Sequence, residues 1–337
     1  MDYTKVILGY SGGIDSAAAV ALLKSQGFEV VALTLDMCGN KKLVEGARQA
    51  AIRSDIEFAT INCEELFARE IKDYFIDEYL NGRTPAPCTR CNPLIKWRLL
   101  LEYANSRNVF HIATGHYFRV EEYNGKLYVA RATDRRKDQS YYLWGLSQEI
   151  LRRAVTPMAT IIKEQINKEK RKESMGVCFL KGRRYNEYIA EVCGDIEHGD
   201  IVDQNGTLVG RHIGLAYYTI GQKRGEGIPN CSSIISIDKA RNMLVIGKDE
   251  NLYHSKLYVK KCNIIDQQEL LESDDITVLV RGLGRNPDGF ASHVKCIDGG
   301  YYVELSSPAW ACAAGQPVVF YRGERVIGGG YLDFSKP

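Results

Sequence analysis

No stretch of roughly 18 or more consecutive apolar residues occurs in the 337-residue chain, so no helical membrane span is expected. Internal repeats and low-complexity segments are missing as well, which excludes a solenoid and argues against long disordered tracts. Charge of one sign does not dominate either. The 44 Lys and Arg against 42 Asp and Glu leave a formal net charge of +2, too little to announce a nucleic-acid binder by itself. The first apolar run begins at about Lys5, leaving no room for a signal or transit peptide, so a cytoplasmic protein is expected. Ten cysteines would suggest disulfides only in a small secreted protein. Most of them (Cys38, Cys63, Cys193, Cys231, Cys262, Cys296 and Cys312) are scattered in apolar contexts and read as small reduced core residues. No second Cys-x-x-Cys and no His spacing completes a four-ligand zinc site. At 45% hydrophobic and 26% charged, the chain is an ordinary soluble protein long enough for two or three domains.

What is present begins a few residues in. The apolar run Val6-Ile7-Leu8 empties into Ser11-Gly12-Gly13-Ile14-Asp15-Ser16, and Ala17 to Leu23 then reads as a helix. A strand–turn–helix of this kind aims unpaired backbone N–H groups and a helix N-terminus at whatever lies over the turn, which favours an anion and above all a phosphate. The lysine of a Walker loop is missing, and Asp15 stands where it would be unwelcome beside bare phosphates unless Mg²⁺ or another hydrogen-bond donor is present. The bland alternative is an ordinary Gly-rich turn. Ser-Gly-Gly-x-Asp-Ser resembles the PP-loop of ATP pyrophosphatases, which cleave ATP between its α and β phosphates.

The chain from residue 5 to about 117 alternates apolar strands (6–8, 30–35, 58–61, 109–113) with helical patterns (15–25, 42–54, 64–80, 93–106). That alternation predicts an α/β domain with a parallel sheet covered on both faces, its ligands beyond the C-terminal strand ends. Asn124-Gly125 between two alternating runs predicts a hairpin. Residues 151–190 carry ten Lys and Arg against four acids, a local charge of +6, readable as a phosphate-backbone footprint or as solvated helix surface. From about Gly194 short strands with Gly, Asn and Asp turns take over, and from about Leu257 clean alternations predict a small antiparallel sheet or barrel.

Cys88 and Cys91 sit in a proline-braced loop, Thr84 to Asn92, running into a helix expected near Pro93. A helix N-terminus and Arg90 would both favour a thiolate. The pair supports three readings: a redox couple, half of a metal site, or a nucleophile with a helper. Cys178, in Met175-Gly176-Val177-Cys178-Phe179, gains weight as a third thiol, and three cysteines could hold an iron–sulfur cluster with one open iron. Lys137-Asp138-Gln139-Ser140-Tyr141 and Tyr218-Thr219-Ile220-Gly221-Gln222 mix charge, amide and aromatic groups as nucleotide-contacting surfaces do.

These motifs, with Thr114-Gly115-His116-Tyr117 and the Gly315-Gln316-Pro317 turn, occur in the order in which the tRNA-specific 2-thiouridylases (MnmA family) carry them. The resemblance spans nearly the whole chain. It implies an N-terminal parallel-sheet PP-loop domain of the adenine nucleotide alpha hydrolase type (1–193, with a basic helical tRNA-binding region), a small central β-rich domain (194–256) and a C-terminal antiparallel β-barrel (257–337). It implies a tRNA-uridine 2-sulfurtransferase that uses ATP and Mg²⁺ to adenylate O2 of the wobble uridine, and then replaces that oxygen with persulfide sulfur. Gly9, Tyr10, Ser11, Gly12, Gly13, Ile14, Asp15, Ser16, Leu35 and Gly115 would line the ATP site, with Asp15 also counted catalytic. Cys91 would be the nucleophile and Cys178 the persulfide carrier. Ala86, Pro87, Cys88, His116, Lys137, Asp138, Gln139, Arg281 and Gln316 would touch tRNA. The implied partners are tRNA and a sulfur-donor protein, with no membrane.

One departure stands out. The family commonly has Asn-Pro-Asp where this chain has Ala86-Pro87-Cys88. The change removes a carboxylate and creates the Cys88, Cys91, Cys178 set of iron–sulfur-dependent tRNA thiolases, so a [4Fe-4S] cluster is the alternative to the persulfide. Two further alternatives are another PP-loop ATP pyrophosphatase acting on a small substrate and a non-catalytic tRNA-binding protein. Neither needs this full set of thiols and loop residues.

Overall fold

The computed structural model describes residues 1–166, 176–280 and 285–334. The chain divides into two compact units, the first comprising Met1–Lys72, Cys88–Glu173 and Glu324–Val326, the second Asp73–Pro87, Ser174–Gly323 and Ile327–Pro337.

The first unit is built on strands β1 (Asp2–Gly9), β2 (Glu29–Asp36), β3 (Glu57–Asn62) and β4 (Val109–Thr114), with a hairpin β5 (Arg119–Tyr123) and β6 (Lys126–Ala130) and a short β7 (Ala154–Val155). The parallel sheet runs β3-β2-β1-β4-β7. Val6, Ile7 and Leu8 are all buried, as a strand covered on both faces requires. Chain order reverses between β1 and β4, and Gly9 pairs with Thr114 at their C-terminal ends. The loops after these two strands therefore open side by side at the switch point, where α/β sheets bind ligands. Helix α1 (Ile14–Ser25) follows β1, and α2 (Lys41–Arg53) turns its small residues Ala47, Ala50 and Ala51 inward. Asn124 and Gly125 both have positive φ, which suits the tight turn expected between β5 and β6.

The expected helix near Pro93 starts earlier. Its first turn is Pro87–Cys91, followed by a π turn at Asn92–Lys96 and the regular helix Trp97–Ser106. Pro87 suits a first helical position because its missing N–H has no partner there anyway. Pro93 removes an N–H and crowds the preceding turn, and the wider π turn accommodates it. A second π turn, Ala68–Lys72, interrupts the helix expected over 64–80.

In the second unit a four-stranded sheet is formed by β8 (Gly199–Val202), β9 (Leu208–His212), β10 (Ser233–Asp238) and β11 (Met243–Gly247), in the order β10-β11-β8-β9. Ile201, Leu215, Tyr218, Ile234, Leu244 and Ile246 fill its core. Then come β12 (Tyr253–Ile264), β13 (Ile276–Val280), β14 (Phe290–Ile297), β15 (Gly300–Trp310), β16 (Pro317–Arg322) and β17 (Arg325–Leu332). These six run β12-β15-β14-β13-β16-β17, and pairing of β12 with β17 closes an antiparallel barrel. Closure removes the exposed edges an open sheet would leave. Along β13 buried and half-buried residues alternate, the pattern expected of a barrel wall.

Candidate active site

The turn after β1 is shaped by its glycines. Gly12 has φ +73°, and a Cβ there would sit 3.0 Å from Ala47 Cα, so no larger residue fits without moving α2. Gly13 caps α1 in extended conformation with no side-chain cap bond, which leaves the first N–H groups of α1 for an anion. Ser16 Oγ donates to Gly13 O at 2.9 Å, tying the turn to the helix. Across the switch point, a Cβ on Gly115 would lie 3.4 Å from Ser16 N, so the loop after β4 packs directly on the start of α1.

The Asp15 carboxylate accepts from two donors. Lys163 Nζ lies 2.5 Å from its Oδ1, and Tyr117 OH donates to the same oxygen at 2.8 Å. The lysine side chain is only 6% exposed, the aspartate 38%. Lys163 is fixed in turn by its backbone N–H, which donates to the buried Asp134 at 2.9 Å. The carboxylate beside the phosphate-type loop is thus charge-compensated by a lysine 148 residues away in the chain.

Over the loop lies a cavity of about 280 Å³. Gly9, Tyr10, Ser11, Asp15, Ser16, Leu35 and Gly115 line it, together with Met37, Leu43 and Leu100 on an apolar side and Lys96, Thr114, His116 and Gln139 on a polar one. Gly12, Gly13 and Ile14 lie in the turn and first helical residue without lining it. His116 Nδ1 is 2.8 Å from Thr114 Oγ1. Burial, and then the nearby Lys96 charge, push its pKa down to about 3, so the imidazole is neutral near pH 7. Apolar walls beside polar groups and open N–H donors are the surroundings that suit a nucleoside phosphate.

Cys88 is half-buried in the first turn of the helix Pro87–Cys91, and Cys91 ends that turn, buried. Arg90 does not stand free beside them. Its guanidinium donates to Glu70 O at 2.8 Å and Glu70 Oε2 at 2.9 Å, so its charge is shared with that acid. Cys178 opens the turn Cys178–Leu180 in the second unit and is exposed. Among the described residues no three His, Cys, Asp or Glu side chains gather into a group that would hold a metal ion.

Family models match three successive parts of the chain: a tRNA methyl transferase HUP domain over residues 4–182, a tRNA methyl transferase PRC-barrel domain over 186–249 and an aminomethyltransferase beta-barrel domain over 254–332. The tRNA-specific 2-thiouridylase MnmA 3 of Bacteroides fragilis is 37% identical over 97% of this chain and 94% of its own length. MnmA 1 of the same species is 36% identical over 98% of both, and MnmA of Clostridium acetobutylicum 34% identical over 97% and 99%. The chain belongs to the tRNA-specific 2-thiouridylase family.

The residues that the 2-thiouridylase resemblance directs to tRNA fall in different places. His116 and Gln139 open on the loop cavity. The Asp138 carboxylate accepts from Ala132 N and from the Ser140 hydroxyl, holding the turn that carries Lys137 and Gln139. Gln316 Oε1 accepts from Ala313 N and braces the turn before β16. Ala86 precedes the first helical proline, Pro87. Arg281 lies outside the described residues, as do Lys168, Lys170, Arg171 and Lys172 of the basic stretch. That stretch is not all surface. Arg153 is buried, donating to Phe110 O, Val109 O and Asn105 Oδ1, and Lys163 serves Asp15. Nothing in the sequence marks Lys96 or Lys163 for this site, because charge density alone does not tell an internal lysine from a solvated one. The core cysteines also divide: Cys63 and Cys312 are buried, whereas Cys231 and Cys296 are exposed. Among the described residues no helix is long and apolar enough to cross a membrane.

Proposed function

We propose that this protein is an ATP-dependent tRNA-uridine 2-sulfurtransferase acting on the wobble uridine. The observation that carries the reading is the cavity at the β1/β4 switch point, with open helix N–H donors below and Lys96, His116 and Gln139 beside it. It occurs in a chain whose relatives over nearly full length are named tRNA-specific 2-thiouridylases.

The chemistry explains why both ATP and thiols are needed. A ring carbonyl oxygen is a very poor leaving group until it becomes a phosphate ester. ATP, a substrate here, supplies that activation: uridine O2 bonds to the α-phosphorus, and pyrophosphate departs with the electron pair of the broken P–O bond. The uridine N3 proton passes to water. The terminal sulfur of a Cys178 persulfide then attacks C2 and AMP leaves. The Cys91 thiolate attacks Cys178 Sγ, breaking its bond to the transferred sulfur. The sulfur stays on C2 with that electron pair, N3 takes a proton from water, and a Cys91–Cys178 disulfide remains for a dithiol reductant to reopen. The thiolate is the strongest nucleophile a side chain offers near neutral pH. Exposure of Cys178 suits loading by a sulfur-donor protein.

Loop N–H groups and the α1 N-terminus would take negative charge on the phosphates. Asp15 Oδ2 has no hydrogen-bond partner among the described residues, and with the Ser11 and Ser16 hydroxyls it offers the hard oxygen donors that Mg²⁺ takes. Such an ion would neutralise the departing pyrophosphate. The test is pyrophosphate release from ATP with and without unmodified tRNA. Release that depends on tRNA supports the reading, and release driven by a small carboxylate without tRNA contradicts it.

A further inference from the structure

Lys96 is the one cation of the cavity wall that no protein acid answers among the described residues. It closes the π turn Asn92–Lys96 between the buried side chains of Ile95 and Trp97, so its backbone is anchored in the core while its half-buried side chain reaches the cavity. The cavity's carboxylate, Asp15, is taken by Lys163 and Tyr117 on its Oδ1. No ion pair or hydrogen bond joins Lys96 to any described acid. Its charge does act on a neighbour, since it helps keep the His116 imidazole neutral. A half-buried ammonium without a counter-charge is costly, and an anion entering the cavity removes that cost.

The helix adds a second, independent relationship. Trp97 N–H donates to Asn92 O, five residues back, in place of the usual four. Positions five apart point about 140° away from each other in an α-helix. A π turn winds more slowly and brings them toward one face. Cys91 and Lys96 are five apart, so the Pro93-induced turn places the cavity lysine one turn beyond the buried thiol on the same helix. An isolated π turn of this kind commonly marks a functional position.

We propose that Lys96 is a catalytic residue of this site: its ammonium contacts the α-phosphate of ATP while uridine O2 attacks it. The assignment rests on the sulfurtransferase reading above and names the group that meets the charge at the reacting phosphorus. Lys163 is already committed to Asp15, and the loop N–H groups lie at the start of α1, leaving Lys96 to approach from another side, on the helical segment that also carries the buried Cys91. A compact ammonium suits a phosphate whose geometry changes during the reaction, because it demands no fixed fork of hydrogen bonds. Stabilisation of this kind acts on the transition state more than on bound substrate.

The experiment compares wild type, Lys96→Met and Lys96→Arg for single-turnover pyrophosphate release with unmodified tRNA, and for ATP affinity by equilibrium dialysis. Thermal melting shows whether each variant is folded. Lys96→Met is expected to slow release by about 100-fold or more while ATP affinity changes only several-fold. Lys96→Arg is expected to recover part of the rate, since it restores the charge. A folded Lys96→Met that releases pyrophosphate at the wild-type rate, beside an active wild type, overturns the role of Lys96 and leaves the sulfurtransferase reading standing. A wild type that releases no pyrophosphate with tRNA overturns that reading, and the role of Lys96 with it.

Discussion

Lys163 and Asp15, far apart in sequence, form a 2.5 Å ion pair beside the loop that follows β1. The two ends of this pair are not equivalent, because the lysine side chain is 6% exposed and the aspartate 38%. Removing the carboxylate strands a buried ammonium, whereas removing the lysine leaves an acid that water and Tyr117 still solvate. Asp15→Ala should therefore cost about 3 kcal/mol of stability and Lys163→Met about 1 kcal/mol. Urea denaturation of both variants checks the asymmetry. Equal costs, or a larger loss for Lys163→Met, would show that the pair is not buried in this one-sided way.

The two loop glycines separate backbone strain from site chemistry. Gly12 is in the left-handed region with Ala47 Cα 3.0 Å from where a Cβ would stand, while Gly13 is extended and meets only Ser11 Oγ at 3.4 Å. Gly12→Ala should cost about 1–2 kcal/mol and weaken ATP binding. Gly13→Ala should cost less than Gly12→Ala, because the lost N-cap preference is opposed by a stiffer unfolded chain and no left-handed strain is added. Thermal melts and nucleotide titration measure both. If both variants melt together with wild type, Gly12 is not held in the left-handed conformation against α2.

The imidazole of His116 is the strongest pH sensor in the site. Its native pKa is pushed down to about 3, against an unfolded value near 6.5. Below the unfolded value the unfolded chain binds a proton that the native chain does not, so stability is lost as pH falls from about 6.5 toward 3. His111, His212 and His254 are shifted the same way by burial and add to the slope. Its share between pH 6.5 and 5.5 should be at most about 1 kcal/mol, and less in so far as the part of the ring that opens on the cavity is solvated. Chemical denaturation of His116→Gln at the two pH values should show a flatter loss than wild type. An unchanged slope would mean that the ring is solvated well enough to titrate normally.

Much of the first unit was legible in the sequence because its signals are local. Three consecutive apolar residues at β1, a Ser-Gly-Gly turn and an Ala-rich helix follow one another without a break, and Asn124-Gly125 sits between two alternating strands. Lys163 was not legible, since it belongs to a basic run that reads equally well as solvated surface, and only folding brings it to Asp15. Arg153 is a similar case, its charge buried against the carbonyls at the start of β4. The helix start at Pro87 was obscured by Pro93, whose usual meaning as a helix boundary is overridden by a π turn. Barrel closure through β12 and β17 joins strands at opposite ends of the C-terminal segment, beyond the reach of any periodicity.

The Cys88 thiol distinguishes the two sulfur routes. If sulfur travels as a persulfide, Cys88→Ser should keep most of its thiolation activity, and anaerobically prepared protein should contain far less than one iron–sulfur cluster per chain. Iron and sulfide analysis of wild type and variant reads this directly. Stoichiometric iron and sulfide, lost together with activity in Cys88→Ser, would favour a cluster held by Cys88, Cys91 and Cys178.

Sulfur transfer to uridine is tested most directly in a single turnover. Protein loaded with persulfide on Cys178 is mixed with ATP and unmodified tRNA without added thiol, and nucleosides are analysed by mass spectrometry. Loaded wild type should form up to one 2-thiouridine per protein and Cys178→Ser none. Cys91→Ser should stall with tRNA disulfide-linked to Cys178, and both variants should still bind ATP. Formation of 2-thiouridine by Cys178→Ser at near the wild-type rate, or its absence from loaded wild type, would contradict sulfur transfer from a Cys178 persulfide to uridine.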